Sequence, residues 1–166
     1  MLRRPAPDPV RPGQESVWGF PRPPALRACT EHITVILGGT TICETHASWQ
    51  ALETSHPPTY YLSRDSFVAG SLRAAAGSSL CEWKGAASYL DVLGGDRVAA
   101  GAGWYYPSPT APFAALVDHV ALYPGAMDSC LVDGERVAPQ PGGFYGGWVT
   151  SKVAGPFKGI PQSSAW

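Results

Sequence analysis

Lysine is scarce in this chain: only Lys84, Lys152 and Lys158 occur in 166 residues, and two of them sit inside an aromatic-Lys-Gly triplet, Trp83-Lys84-Gly85 and Phe157-Lys158-Gly159. An excess of either charge is missing as well. Twelve Lys plus Arg against thirteen Asp plus Glu leave a formal charge of −1, so no global field draws in a polyanion, and neither double-stranded nucleic acid nor a membrane is an expected partner. No apolar run reaches the roughly 18 residues of a membrane span, and Met1-Leu2-Arg3-Arg4-Pro5-Ala6-Pro7 carries positive charge with no apolar stretch behind it, which predicts a cytoplasmic protein. Cysteine is limited to Cys29, Cys43, Cys81 and Cys130 with no Cys-x-x-Cys pair. The ordinary structural zinc pattern is therefore missing, and reduced, mostly buried thiols are expected, with no metal and no cofactor. The phosphate loop, the strand-linked Gly-x-Gly-x-x-Gly, a close Asp pair for Mg²⁺ and the Gly-x-Ser-x-Gly of hydrolases are also absent, and with them the usual equipment of those enzyme classes.

What the chain does have is glycine and proline, 19 and 17 residues, which interrupt helices and favour short strands joined by turns. An all-β domain is expected over residues 17–166, preceded by a disordered or loosely attached Pro-rich arm over residues 1–16. Ile33 to Leu37, then Gly38-Gly39, then Thr40 to Cys43 reads as a two-residue hairpin. Further strands are expected near Tyr60–Leu62, Ser79–Trp83, Ala87–Leu93, Arg97–Trp104, Val120–Tyr123 and Asp128–Asp133. Only residues 112–118 read as helical, with Thr110 as N-cap and Pro112 in the first turn. The segment from Pro139 to Trp166 is rich in rings and poor in pattern, and is expected to wrap across the domain.

Polar chemistry is sparse and held at turns. Glu53-Thr54-Ser55-His56-Pro57-Pro58 places an imidazole on a backbone that two prolines stiffen, within reach of acceptors that could set its tautomer. Either His56 faces a ligand, or Ser55 and His56 hydrogen-bond the backbone of the turn. In Cys81-Glu82-Trp83-Lys84-Gly85, Lys84 could hold an anion, whereas strand alternation sets it on the other face from Cys81, so the two need not meet unless a bulge intervenes, and Cys81 reads as a buried structural thiol. The two lysine triplets could flank one concave anion site, or each ammonium could snorkel over its ring. Trp104-Tyr105-Tyr106-Pro107, Tyr123-Pro124 and Phe144-Tyr145-Gly146-Gly147-Trp148 supply more rings than a core of this size requires, and the glycines beside Trp148 clear space for it. Such an excess suits the walls of a cleft for a small planar or cationic ligand, although core packing explains many of the rings equally well.

These segments, together with Ala87-Ser88-Tyr89, Trp104-x-Tyr106-Pro107, Val120-Ala121-Leu122-Tyr123-Pro124 and Pro141-Gly-Gly-Phe-Tyr-Gly-Gly-Trp148, closely resemble the domain of unknown function 427 family over about Ser16 to Trp166. The resemblance implies a β-tent of two antiparallel sheets, similar to methionine sulfoxide reductase B and the thalidomide-binding domain of cereblon. It also implies the nucleotidyltransferase label under which the family is sometimes catalogued. The chain departs from the family pattern at Glu82, where proline is common, and at its closing Gln162-Ser163-Ser164-Ala165-Trp166.

Residues and resemblance together predict a binding module for a small molecule. Tyr61, Trp104, Tyr123 and Trp148 would form the walls, Glu53, His56 and Lys84 the polar anchors, with Cys81 beside them. An enzyme, of nucleotidyltransferase type or using His56 and Cys81, is the alternative. A third reading is a scaffold whose aromatic face meets a protein partner or a second copy in a homodimer.

Overall fold

Short β-branched and aromatic runs cut by Gly and Pro settle into strands because such side chains pack well on a pleated surface while the breakers end each run early. The computed structural model describes residues 4–166; residues 1–3 of the expected arm lie outside the described residues. In chain order the strands are β1 Glu15–Ser16, β2 Ala25–Cys29, β3 Ile33–Leu37, β4 Thr40–Thr45, β5 Ser48–Leu52, β6 Thr59–Ser63, β7 Leu72–Cys81 and β8 Gly85–Gly94. They continue with β9 Arg97–Tyr105, β10 His119–Leu122, β11 Ser129–Val132, β12 Glu135–Arg136, β13 Ala138–Pro139, β14 Trp148–Val149 and β15 Val153–Ala154. The fold is all-β in a single domain. Its two main sheets are antiparallel: seven strands in the order β2-β5-β6-β10-β9-β8-β7, and four in the order β12-β11-β3-β4.

The β3–β4 hairpin forms where the sequence predicts it, with Gly38 and Gly39 at φ of +60° and +71°, the left-handed pair that a tight hairpin turn demands. Period-two alternation then divides the side chains of the large sheet. Tyr60 and Leu62 of β6, Leu90 and Val92 of β8 and Val120 and Leu122 of β10 face the four-stranded sheet. There they meet Ile33, Val35 and Leu37 of β3 and Cys130 and Val132 of β11 in a closed core. The intervening residues Tyr61, Ala87, Trp104 and Ala121 form a second apolar cluster with Phe113 and Leu116.

Two expectations are corrected. The arm is not loose where it is described: Glu15 and Ser16 pair in parallel with Val153 and Ala154, and the Asp8 N–H donates to the Gly155 carbonyl at 2.8 Å. Its partners come from the far end of the chain, so a local pattern could not reveal them. The expected helix is a 3₁₀ segment, Ala111–Leu116, interrupted at Phe113 (φ −113°, ψ 18°). Thr110 does not cap it, because its hydroxyl donates instead to the Trp83 carbonyl at 2.6 Å.

Candidate functional site

The second face of the large sheet is not filled. Small residues stand beside large ones there, Ala51 of β5 and Ala87 of β8 near Tyr61 and Trp104, and the space they leave is a cavity of about 400 Å³. Strand register sets Tyr89 opposite Trp104, and the Trp104 ring leans on Tyr123 at 4.7 Å between centroids. Gly146 makes that position of Trp104 possible, since a β-carbon there would lie 2.1 Å from the indole. Gly146 thus clears room for Trp104, and Gly147 for Pro57 and the Gln140 amide, rather than for Trp148.

At one end of the cavity Cys81 pairs with Gly85 at the tip of the β7–β8 hairpin, leaving Glu82, Trp83 and Lys84 as the loop. The strand ends before alternation can separate the two side chains, so Lys84 folds back and its Nζ lies 3.8 Å from Cys81 Sγ. Strand alternation alone would not have required Cys81 and Lys84 to meet; the turn brings them together. Lys84 is 9% exposed, and its ammonium lies 5.6 Å from the centroid of the Phe113 ring. The Tyr61 hydroxyl sits beside Tyr106, Trp104 and Lys84, and burial pushes its pKa up against the opposing pull of Lys84. Burial likewise raises Tyr106, so both phenols keep their protons and can donate.

At the other end His56 is held edge-on to Tyr145 at 4.8 Å and is 13% exposed. Its Nδ1 lies 3.0 Å from Gln140 Nε2. The orientation of that amide is set by two backbone groups: the Gly147 N–H donates to Oε1 at 3.1 Å, and Nε2 donates to the Lys158 carbonyl at 2.9 Å. The amide therefore offers an N–H to Nδ1, which must accept, and the imidazole proton sits on Nε2, 3.5 Å from Glu53 Oε2. Burial lowers the His56 pKa to about 4; Glu53 opposes the shift, while Lys158 and Arg22 reinforce it. A neutral ring whose one lone pair is already engaged is a contact and not a free base. The Ser55 backbone also serves the turn, its N–H donating to Val17 O and its carbonyl accepting from Lys158 N–H.

Glu53, His56, Tyr61, Cys81, Lys84, Trp104 and Tyr123 all line this one cavity. Trp148 does not. It is fully buried between the sheets, stacked on Tyr60 at 4.7 Å, with Nε1 donating to the Leu122 carbonyl at 3.2 Å. Its position on β14 turns the ring inward, so it belongs to the core. Conversely, sequence reasoning passed over Gln140 as a site residue. Its signal was a lone amide held between two prolines, Pro139 and Pro141, in a segment otherwise short of polar groups. Lys158 also lines the cavity, its ammonium donating to Trp166 O at 3.1 Å and lying 5.7 Å from the Tyr145 ring centroid. The ring that each ammonium meets is not that of its own triplet, being Phe113 for Lys84 and Tyr145 for Lys158, and both lysines line the same hollow.

A family model labelled NTP_transf_9 and described as a domain of unknown function (DUF427) matches residues 25–133. The chain belongs to the DUF427 family. No curated protein matches it. The matched range is narrower than Ser16 to Trp166 and runs from β2 to just beyond β11, which takes in the Lys84 end of the cavity of this DUF427 domain and both Glu53 and His56. Gln140, Tyr145 and Lys158 come from the segment after it. Among the described residues, no three His, Cys, Asp or Glu side chains gather as a metal-ion set, and no helix is long and apolar enough to cross a membrane.

Proposed function

We propose that this DUF427 domain is a binding module for a small ligand with a planar apolar body. The observation that carries the reading is the hollow itself: about 400 Å³ on a sheet face, lined by the rings of Trp104, Tyr123 and Tyr61, with Lys84 among its polar groups at one end and Glu53 and His56 at the other. That volume and composition suit a small-molecule pocket, with rings supplying contact area and a few placed polar groups fixing orientation. Binding is favoured over catalysis because His56, the imidazole that lines the cavity, has its lone pair engaged by Gln140.

A fragment library of flat aromatic compounds, screened by thermal shift and confirmed by calorimetry, tests the proposal. A binder present at one hundred times its dissociation constant stabilises the fold by about 2.7 kcal/mol. Ala87→Leu, which fills the floor of the cavity, should remove that response, as should Trp104→Ala. A response that both folded variants keep places the ligand elsewhere and ends the proposal.

A further inference from the structure

The three lysines are treated very differently by the fold. Lys152 is paired with Glu31 and, at 2.9 Å, with Asp133. Lys158 donates to Trp166 O. Lys84 is the most buried of the three, yet among the described residues no carboxylate pairs with it, while Arg22, Arg27, Arg73 and Arg97 on the surface all have one. Its contacts are a thiol sulfur at 3.8 Å and an aromatic face, a weak acceptor and a partial compensation. Removing a charge from water without a partner is costly. The other polar groups gathered there, the Tyr61 and Tyr106 hydroxyls and the Trp104 indole N–H, can each donate, and none carries a negative charge. Glu53, the one acid lining the cavity, stands at the opposite end with Arg22 and His56.

Resting on the cleft reading above, we propose that the Lys84 end is an oxyanion seat and that the ligand is a small aromatic carboxylic acid. Its carboxylate meets the Lys84 ammonium and the two phenols, and its ring lies against Trp104 and Tyr123. One ammonium with neutral donors matches one negative charge. A phosphate monoester brings closer to two at neutral pH and leaves the second uncompensated in a buried place. Lys158 does not supply the balance, since it belongs to the His56–Tyr145 end.

The test uses the full chain with benzoate, phenylacetate and indole-3-carboxylate as probes, their uncharged carboxamides as matched controls, and inorganic phosphate as competitor, read by calorimetry. The acids should bind at least tenfold more tightly than the amides, and phosphate should not displace them. In Lys84→Met the acid preference should vanish while the melting temperature equals or exceeds that of the parent, because the side chain keeps its bulk and loses an unpaired charge. Tyr106→Phe, which keeps the ring, should weaken the acids several-fold and leave the amides unchanged. Equal binding of acids and amides, an acid preference surviving in Lys84→Met, or displacement by phosphate overturns the seat while the cleft reading stands. Failure of acids and amides alike overturns both.

Discussion

The buried imidazole makes the stability of this protein depend on pH in a window that belongs to His56. Its pKa falls from 6.5 to about 4 on folding, chiefly through burial. The unfolded chain therefore binds a proton between those values that the folded chain refuses, and stability must rise with pH through the window and level off above it. At pH 5 the difference amounts to about 2 kcal/mol relative to neutral pH, approaching about 3 kcal/mol at pH 4. With a denaturant slope of about 2 kcal/mol per molar, the pH 5 loss moves the urea midpoint down by ~1 M. The comparison is His56→Asn, whose amide oxygen can stand where Nδ1 stands and accept from Gln140 Nε2. Any constant change in contacts cancels when the two pH profiles are subtracted. Urea midpoints for both proteins at half-unit steps from pH 4 to 8 should diverge below pH 6.5 and run parallel above it. Profiles that stay parallel down to pH 4 would refute the reasoning, for they would mean that the ring is charged or solvated in the folded state.

Three further outcomes follow from the same geometry. Burial raises the Cys43 and Cys130 thiols to about 11 and about 12 and also raises Cys29, whereas Cys81 is half-buried at the cavity; iodoacetamide on the native protein should modify Cys81 first, and mass mapping that finds Cys43 or Cys130 labelled as fast would contradict the core assignment. Gly146→Ala sets a methyl against the Trp104 indole and should cost about 1–3 kcal/mol in chemical denaturation while shifting tryptophan emission; an unchanged midpoint and spectrum would show that the 144–148 segment does not press on that ring. Trp148→Ala should cost about 3–5 kcal/mol by the same assay, as a core truncation does, and a loss under 1 kcal/mol would return Trp148 to the cavity wall.

Much of the sheet was legible because its signals are local. The 33–43 hairpin announces itself through β-branched flanks and a glycine pair, and β8 to β11 through runs bounded by Gly-Gly-Asp or Asp-Gly. Strands β2 and β5 were not seen: Ser48-Trp49-Gln50-Ala51-Leu52 shows no clean alternation, because most of the strand is covered and polar Ser48 and Gln50 are buried with it. Gln50 is satisfied there by a bond from its Nε2 to the hydroxyl of Tyr60, its register partner on β6, at 3.0 Å, a pairing that the local pattern of β5 does not show. The site shows the same division. Glu53, His56, Tyr61, Cys81, Lys84, Trp104 and Tyr123 were legible as residue types held at turns or in excess of core needs. That Trp148 faces inward and Gln140 sets the imidazole depends on which way a glycine-rich, irregular segment crosses the sheet, and no periodicity encodes that.

The two apolar clusters divide the work of the fold. The one between the sheets is closed and consists of aliphatic side chains, Tyr60, Trp148 and thiols, with Ile33, Val35, Leu37, Leu62 and Val120 fully sealed. The other is open, mixes alanines with large rings, and carries a lysine with which no carboxylate among the described residues pairs. A fold that depended on the second cluster for stability would have filled the space beside Ala51 and Ala87 and replaced Lys84 by an apolar residue of similar volume, a change that commonly leaves stability equal or improved. Because the inter-sheet core carries the folding free energy, the far face can keep a hollow and an unpaired charge at a small cost, and that arrangement is stable only as long as something other than stability selects it. Filling and neutralising that face together, with Ala87→Leu and Lys84→Met in one chain, should give a protein at least as stable as the parent and unable to bind. Clear destabilisation would show instead that the hollow is structural.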